Sequence, residues 1–388
     1  MRKKQIASFI VLILAFLPLP SMAWGFWAHQ RINRLAIFTL PPEMLGLYKK
    51  NIEFLTEHAV DPDKRRYAVD GEAAHHFIDV DHYGEYPFTN VPRYWEDAVK
   101  KFSKDTLEAY GVVPYHLPTV VMKLKKAFEK KDLLAIMKAS SDLGHYVGDS
   151  HVPLHTTENY NGQLTGQKGI HGFWESRLPE LFGEGYDFFV GKCYYVEDLF
   201  GESWKFVLDS HRLLDSVLLL EKQLSEDFPS DKKYGYESRN NVVVRTYSRE
   251  YSAEYHRRMN GMVERRMQEA ILSVGSYWYT AWKLAGSPDL SELMYQKLEP
   301  RPNSYKKKLK ITDREAFDVG ALMMGCCGKP QKALAFGLHR TLSCVQDDPR
   351  WVVVMDEAAR EQANMDQLPW YRRAWKWLLD FFELDLIR

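Results

Sequence analysis

Pairs of histidine and carboxylate set four residues apart are the chemically informative feature of this chain. In His145-Tyr-Val-Gly-Asp149, and again in His171-Gly-Phe-Trp-Glu175, an imidazole precedes a carboxylate by four positions. On a helix that spacing places both side chains on one face, one turn apart, where they can grip the same ion. His155 follows Asp149 by six residues and lies beyond Pro153, where the first of these helices is expected to end. Upstream, His76 follows Asp61 by fifteen residues and His29 follows Trp24 by five. Ten of the thirteen histidines fall between His29 and His171, so the candidate ligands gather in the front half of the chain. A lone His-x-x-x-Asp is more often a solvated or core-satisfied histidine than a ligand. Two such pairs, a histidine between them and a further set upstream outweigh that default. Neutral imidazole nitrogen and carboxylate oxygen are ligands that zinc accepts at about 2.0–2.2 Å. Without thiolates the same set also suits iron or manganese.

The elements that must position these groups are helices. Apolar residues recur at helical spacing, as in Val120, Val121, Leu124 and Phe128 and then Leu133, Leu134 and Met137, whereas Val242–Val244 is the one short β-branched run. An all-α fold is therefore expected. From about Arg249 to Gly286 the stripe Tyr251, Tyr255, Met259, Met262 and Val263 predicts one or two long helices, which Gly286-Ser287-Pro288 breaks. That break is the expected boundary between a domain over 24–288 and an extension over 289–388, the latter unassigned and read as helical.

Residues 1–23 read as an export signal. Arg2, Lys3 and Lys4 precede an apolar run from Ile6 to Leu17, and Ser21-Met22-Ala23 offers small residues before a cut. The run is shorter than the ~20 residues a spanning helix needs, so no stable membrane span is expected, and the product would be periplasmic or extracellular. Cleavage after Ala23 would make Trp24 the mature N-terminus. With 52 basic and 52 acidic residues the net charge is zero, so no global pull toward nucleic acid or anionic lipid follows and any polyanion must be recognised locally. Cys193, Cys326, Cys327 and Cys344 lack the paired spacing of a thiolate zinc site and are read as structural, with a bridge from Cys344 to one of the adjacent pair permitted in an exported chain.

Taken together, the positions Trp24, His29, Asp61, His76, His145, Asp149, His155, His171 and Glu175 resemble the superfamily that joins zinc-dependent phospholipase C with the tri-zinc single-strand-specific nucleases. The resemblance covers about residues 24–287 and implies that family's multi-helix fold and three zinc ions. By it, Asp61, His76, His145 and Asp149 would hold one ion. The amine and carbonyl oxygen of Trp24, with His29 and Asp149, would hold a second, and His155, His171 and Glu175 a third. Asp149 would bridge the first two. Asp61 and Asp149 are the implied catalytic carboxylates, Asp61 orienting or deprotonating the nucleophile, which would be a hydroxide shared by two metals. Two registers compete: Asp63 lies two residues past the favoured Asp61, and His75 adjoins the favoured His76, whose His-Phe-Ile-Asp79 run fits the family better. Asp79 is a candidate to orient His76. His58, His82 and His151 have no place in the motif and are read as surface or supporting histidines.

The resemblance implies hydrolysis of phosphate esters but divides over the substrate. The steps from Trp24 to His29 and from Asp61 to His76 are nuclease-like. Glu175, the His-Tyr-x-Gly-Asp wording and the sixteen-residue gap from His155 to His171 are closer to phospholipase C, which is the favoured reading. A nuclease or 3′-nucleotidase is the alternative, with Trp27, Phe77, Trp174 and Lys168 as candidates for a stacking, basic groove. A non-catalytic zinc-dependent binding protein is a further alternative, whose extension, rich in Trp and Arg around Trp370–Phe382, would dock it to a membrane or partner.

Overall fold

The computed structural model describes residues 25–66, 68–239 and 242–298. Residues 1–23, read above as an export signal, Trp24, most of the segment read as an extension, with Cys326, Cys327 and Cys344, and the stretch around Trp370 lie outside the described residues. The described part is helical with a single two-stranded hairpin, as the apolar periodicity predicts. Five short N-terminal helices come first: α1 (Phe26–Ala36), α2 (Pro42–Lys50), α3 (Ile52–Glu57), α4 (Asp61–Arg65) and, after a run of 3-10 turns, α5 (Trp95–Phe102). Helix α6 (Lys104–Tyr110) leads into the paired long helices α7 (Val113–Glu129) and α8 (Leu133–Ser150). Next come a helical run over 170–182, α9 (Leu199–His211) and α10 (Leu214–Asp227), and last α11 (Arg249–Arg258) and α12 (Met262–Leu284).

Helix α8 is the axis of the fold. Asp132 caps it, its carboxylate accepting the Ala135 N–H at 3.1 Å, a contact that typically stabilises by about 1 kcal/mol. Pro153, three residues beyond Ser150, prevents continuation. Nearly every turn of α8 is buried, because α7, α12, α1 and α9 surround it. Helix α12 joins this core through Trp278, whose indole N–H donates to Ser140 O at 2.9 Å, while the Ser140 hydroxyl meets Tyr48 of α2 at 2.8 Å. The long segment expected over 249–286 forms as two helices, split where Asn260 and Gly261 take left-handed backbone, and it stops at Gly286 as expected. Val242–Tyr247 pairs antiparallel with Tyr234–Arg239. Among the described residues no helix is long and apolar enough to cross a membrane.

Candidate metal centre

Three groups of buried side chains meet where α8 crosses α1 and the 3-10 turn Glu72–His76. His29, His145 and Asp149 form one, Asp63, His76 and His145 a second, and His155, His171 and Glu175 a third; within each, one ligand atom per residue lies within 4.8 Å of the others. Asp149 serves both neighbours of α8. Its Oδ1 lies 3.4 Å from His29 Nε2, and its Oδ2 lies 2.9 Å from His76 Nδ1 and 3.1 Å from His145 Nε2. The imidazoles of His29 and His145 stack at 3.9 Å.

Close helix packing brings these groups together. A methyl group at position 144 would sit 2.0 Å from Asn33 Oδ1, so only glycine lets α1 lie this near α8, and His29 reaches Asp149 along the same contact line. The third group depends on a local irregularity. His171 sits on an α-turn (Ile170–Gly172) and Glu175 on a π-wound segment (Phe173–Arg177), a distortion that recurs at functional sites. Backbone also ties the start of the described chain to this segment: the Gly25 N–H donates to Glu175 O at 3.2 Å, and a Cβ at Gly25 would fall 2.6 Å from Ser176 Oγ.

Proton positions show what the groups suit. Backbone carbonyls can only accept, so His145 Nδ1–H donates to Ala59 O (2.9 Å), His155 Nδ1–H to His76 O (2.7 Å) and His171 Nδ1–H to Tyr160 O (3.1 Å). In each neutral ring the lone pair is then left on Nε2. His155 Nε2 and His171 Nε2 face each other at 3.1 Å, with Glu175 oxygens at 3.3 and 3.0 Å. Two lone-pair nitrogens and a carboxylate repel one another unless a cation lies among them. Burial, the largest influence, pushes His29 and His76 down to about 3 and His155 to about 4, so all three are neutral and competent as ligands at neutral pH. His145 is pushed up to about 9: burial opposes this, but Asp149 and Asp63 draw positive charge to the ring. The same two carboxylates would draw a metal cation. His29 Nδ1 and Nε2, Asp63 Oδ2 and Asp149 Oδ1 are buried without a hydrogen-bond partner among the described residues, at a mean cost that a bound ion would offset. On donor type, burial and proton placement the residues fit a divalent metal of the zinc class.

Compared with protein-family models and with curated proteins, the chain gives no match in either.

Of the nine positions read from the sequence, seven converge in these groups: His29, His76, His145, Asp149, His155, His171 and Glu175. Trp24 lies outside the described residues. Asp61 requires a correction. Its carboxylate accepts from His58 Nδ1 and from Lys64 Nζ at 2.9 Å at the surface, and it is Asp63 that turns inward, 3.7 Å from both His76 Nδ1 and His145 Nε2. The two carboxylates differ in charge state accordingly. Burial raises Asp63 to about 6, whereas at Asp61 burial is outweighed by His58 and Lys64, which hold it below the usual carboxylate range. His76 prevails over His75, which stacks on His116 at 3.6 Å and faces away from the three groups. His151 is a buried core histidine rather than a surface one, and His82 lies against Tyr110 at the surface.

One participant escaped the sequence reading. The far nitrogen of His76, Nε2, faces Glu72 Oε1 at 4.0 Å. The signal was present, since Glu72 precedes His76 by four residues, the same spacing in reverse order.

Proposed function

We propose that this chain is a zinc-dependent hydrolase of phosphate esters with the multi-helix fold of the phospholipase C and nuclease superfamily, acting on a phospholipase C type of substrate. One observation carries the reading: seven of the nine residues that the family resemblance implies as ligands fall into three adjoining buried groups, in the combinations that a three-ion cluster needs. Asp63, His76 and His145 with Asp149 would hold one ion, His29 and Asp149 with the Trp24 amine a second, and His155, His171 and Glu175 a third. When bound, the ions supply Lewis acidity toward phosphoryl oxygens and acidify a water nucleophile.

The chain's own residues do the rest. Asp149 orients two ligand groups at once through its separate oxygens, and Ala59 O, His76 O and Tyr160 O fix three imidazoles with their lone pairs inward. Asp63 takes the role first read for Asp61. Its Oδ2 is buried and lacks a hydrogen-bond partner among the described residues, which leaves an acceptor to orient the nucleophile or take its proton. Of the residues named for a nucleic-acid groove, Trp174 is fully buried and Phe77 nearly so, which takes two of the three aromatics away from a base, while Trp27 is half-buried and Lys168 exposed.

Elemental analysis of protein cleaved after Ala23 should find about three zinc ions per chain, and a chelator should abolish hydrolysis. Phosphatidylcholine, single-stranded DNA, RNA and a 3′-nucleotide should be assayed side by side with the zinc-loaded protein. Preferred cleavage of phosphatidylcholine is expected; preference for nucleic acid reverses the substrate reading, and a protein holding one ion or none rejects the cluster.

A further inference from the structure

Behind His76, on the side away from the three groups, lies a closed network of charge. Arg65 spans it, donating from Nε to Glu72 Oε1 at 3.0 Å, from Nη1 to Asp142 Oδ1 at 3.0 Å and from Nη2 to the Tyr146 hydroxyl at 3.0 Å. Tyr146 in turn donates to the same Glu72 oxygen. Glu72 and Tyr146 are buried, and Asp142 on α8 is the end nearer solvent, where Lys123 approaches within 3.8 Å.

The network has one loose end, and it faces His76. Two donors from Arg65 and Tyr146 hold Glu72 Oε1, so the carboxylate cannot swing away, and it stands 4.0 Å from His76 Nε2. That nitrogen is buried and has no hydrogen-bond partner among the described residues. Its opposite number, Nδ1, sits among Asp149 Oδ2 at 2.9 Å, His145 Nε2 at 3.0 Å and Asp63 Oδ1 at 3.7 Å. A neutral imidazole carries one proton, and the choice of nitrogen decides which end can bind a cation. Every other ring whose far nitrogen is fixed here uses a backbone carbonyl: Ala59 O for His145, His76 O for His155 and Tyr160 O for His171. His76 has no such carbonyl. Without a cation the nearer Asp149 Oδ2, at 2.9 Å, holds the proton on Nδ1; with a cation on that side, the pinned charge of Glu72 does the same service at longer range, favouring the proton on Nε2 and leaving the Nδ1 lone pair for the metal.

We infer that Glu72, fixed by Arg65, Tyr146 and Asp142, is the positioning residue that sets the His76 tautomer and so completes the Asp63–His76–His145 group as a cation site. The inference rests on the metal-binding reading of that group. It assigns to Arg65 and Asp142, which touch no ligand atom of the three groups, an indirect part in metal affinity.

The test separates this inference from the reading beneath it. Long-range ¹H–¹⁵N spectra of the histidine rings report the tautomer with or without metal, and competition with a chromophoric chelator reports zinc affinity. In zinc-loaded wild-type protein His76 should be protonated at Nε2, and in metal-free protein at Nδ1, toward Asp149. Glu72→Gln, which keeps volume and a hydrogen-bond acceptor for Arg65, should populate the other tautomer and weaken one of the zinc ions by roughly 10–100-fold. Glu72→Asp should recover part of that loss, and Asp142→Asn, at the outer end, should give a smaller one. Thermal unfolding of the metal-free variants checks that each is folded; if Glu72→Gln is not, Asp142→Asn carries the test alone. Zinc-loaded wild-type His76 protonated at Nδ1, or a folded Glu72→Gln with unchanged tautomer and zinc affinity, overturns the inference. Wild-type protein that holds no zinc overturns the metal reading, whereas zinc held equally tightly by wild type and Glu72→Gln overturns the inference alone.

Discussion

Helix α8 has two buried polar regions near its C-terminal end, and they are built in opposite ways. On the side of His145 and Asp149, buried nitrogens and oxygens of His29, Asp63 and Asp149 lack hydrogen-bond partners among the described residues. At His151, one turn on, every group is paired. His151 Nδ1–H donates to Val147 O at 2.7 Å and Nε2 meets Ser273 Oγ at 3.3 Å, while Arg266 donates to His151 O at 3.0 Å and to Ser210 Oγ at 2.6 Å. Ser210 passes its own proton to Ser150 O at 2.7 Å. The residue types are alike and the burial is alike. What separates a ligand histidine from a core histidine is whether the protein itself answers both ring nitrogens.

The sharpest way to break this contrast is Asp149→Asn, which should remove two ions together and lower hydrolysis by more than about a hundredfold. Losing an outer support of a metal ligand already costs about 10–100-fold in affinity or activity, and Asp149 is shared directly by two groups. Next come the competing carboxylates. Asp63→Asn should lose about one zinc ion and most activity, whereas Asp61→Asn, made alongside it, should keep all three ions and near-normal rates; the reverse result would restore the original register. His151→Ala tests the satisfied side. It should destabilise folding by roughly 1–3 kcal/mol in denaturant titration, through Ser273 and the surrounding core, while metal content stays at the wild-type value. A fall in bound zinc would place His151 on the ligand side after all.

The smallest effect expected is on pH dependence, measured on metal-free protein. His29, His76 and His155 titrate at about 3, 3 and 4 in the fold but at about 6.5 when unfolded, so the unfolded chain binds more protons between those values. Their contribution is fully present above about 6.5 and is lost as pH falls toward 3. His145, raised to about 9, acts in the opposite sense: its contribution is present below about 6.5 and is lost as pH rises through 9. The three lowered rings, joined by buried His116 and His151, outweigh His145 and the raised Asp63, which gain stability on acidification, and predict a net loss of stability from pH 7 to pH 5, read as a falling unfolding midpoint. A flat profile over that range would show these rings to be less buried than the fold has them.

Much of this was legible in the sequence because helices translate spacing into geometry. His145 with Asp149 and His171 with Glu175 needed only the four-residue rule, and the glycine-bounded segment ending at Gly286 announced its own limit. The register of Asp61 against Asp63 was not legible, for a physical reason. Two residues along a helix lie about 200° apart around its axis, so only one of the pair can face inward. Val60 and Pro62 do not say which; the choice is made by His58 and Lys64, which capture Asp61 outside. Nor did any residue pattern mark the π-wound segment that carries Glu175. Glu72 was missed because its carboxylate precedes its histidine, whereas the other pairs run the opposite way.

The two oxygens of Asp149 point to different partners, one toward His29 and the other toward His76 and His145. On the metal-binding reading, an ion taken up on either side would lock the carboxylate's rotation for its neighbour and remove an ordering cost that the next ion would otherwise meet. Loading of these two positions would then be interdependent: at less than full metal supply, a population of chains would divide into filled pairs and empty pairs, with singly filled chains depleted.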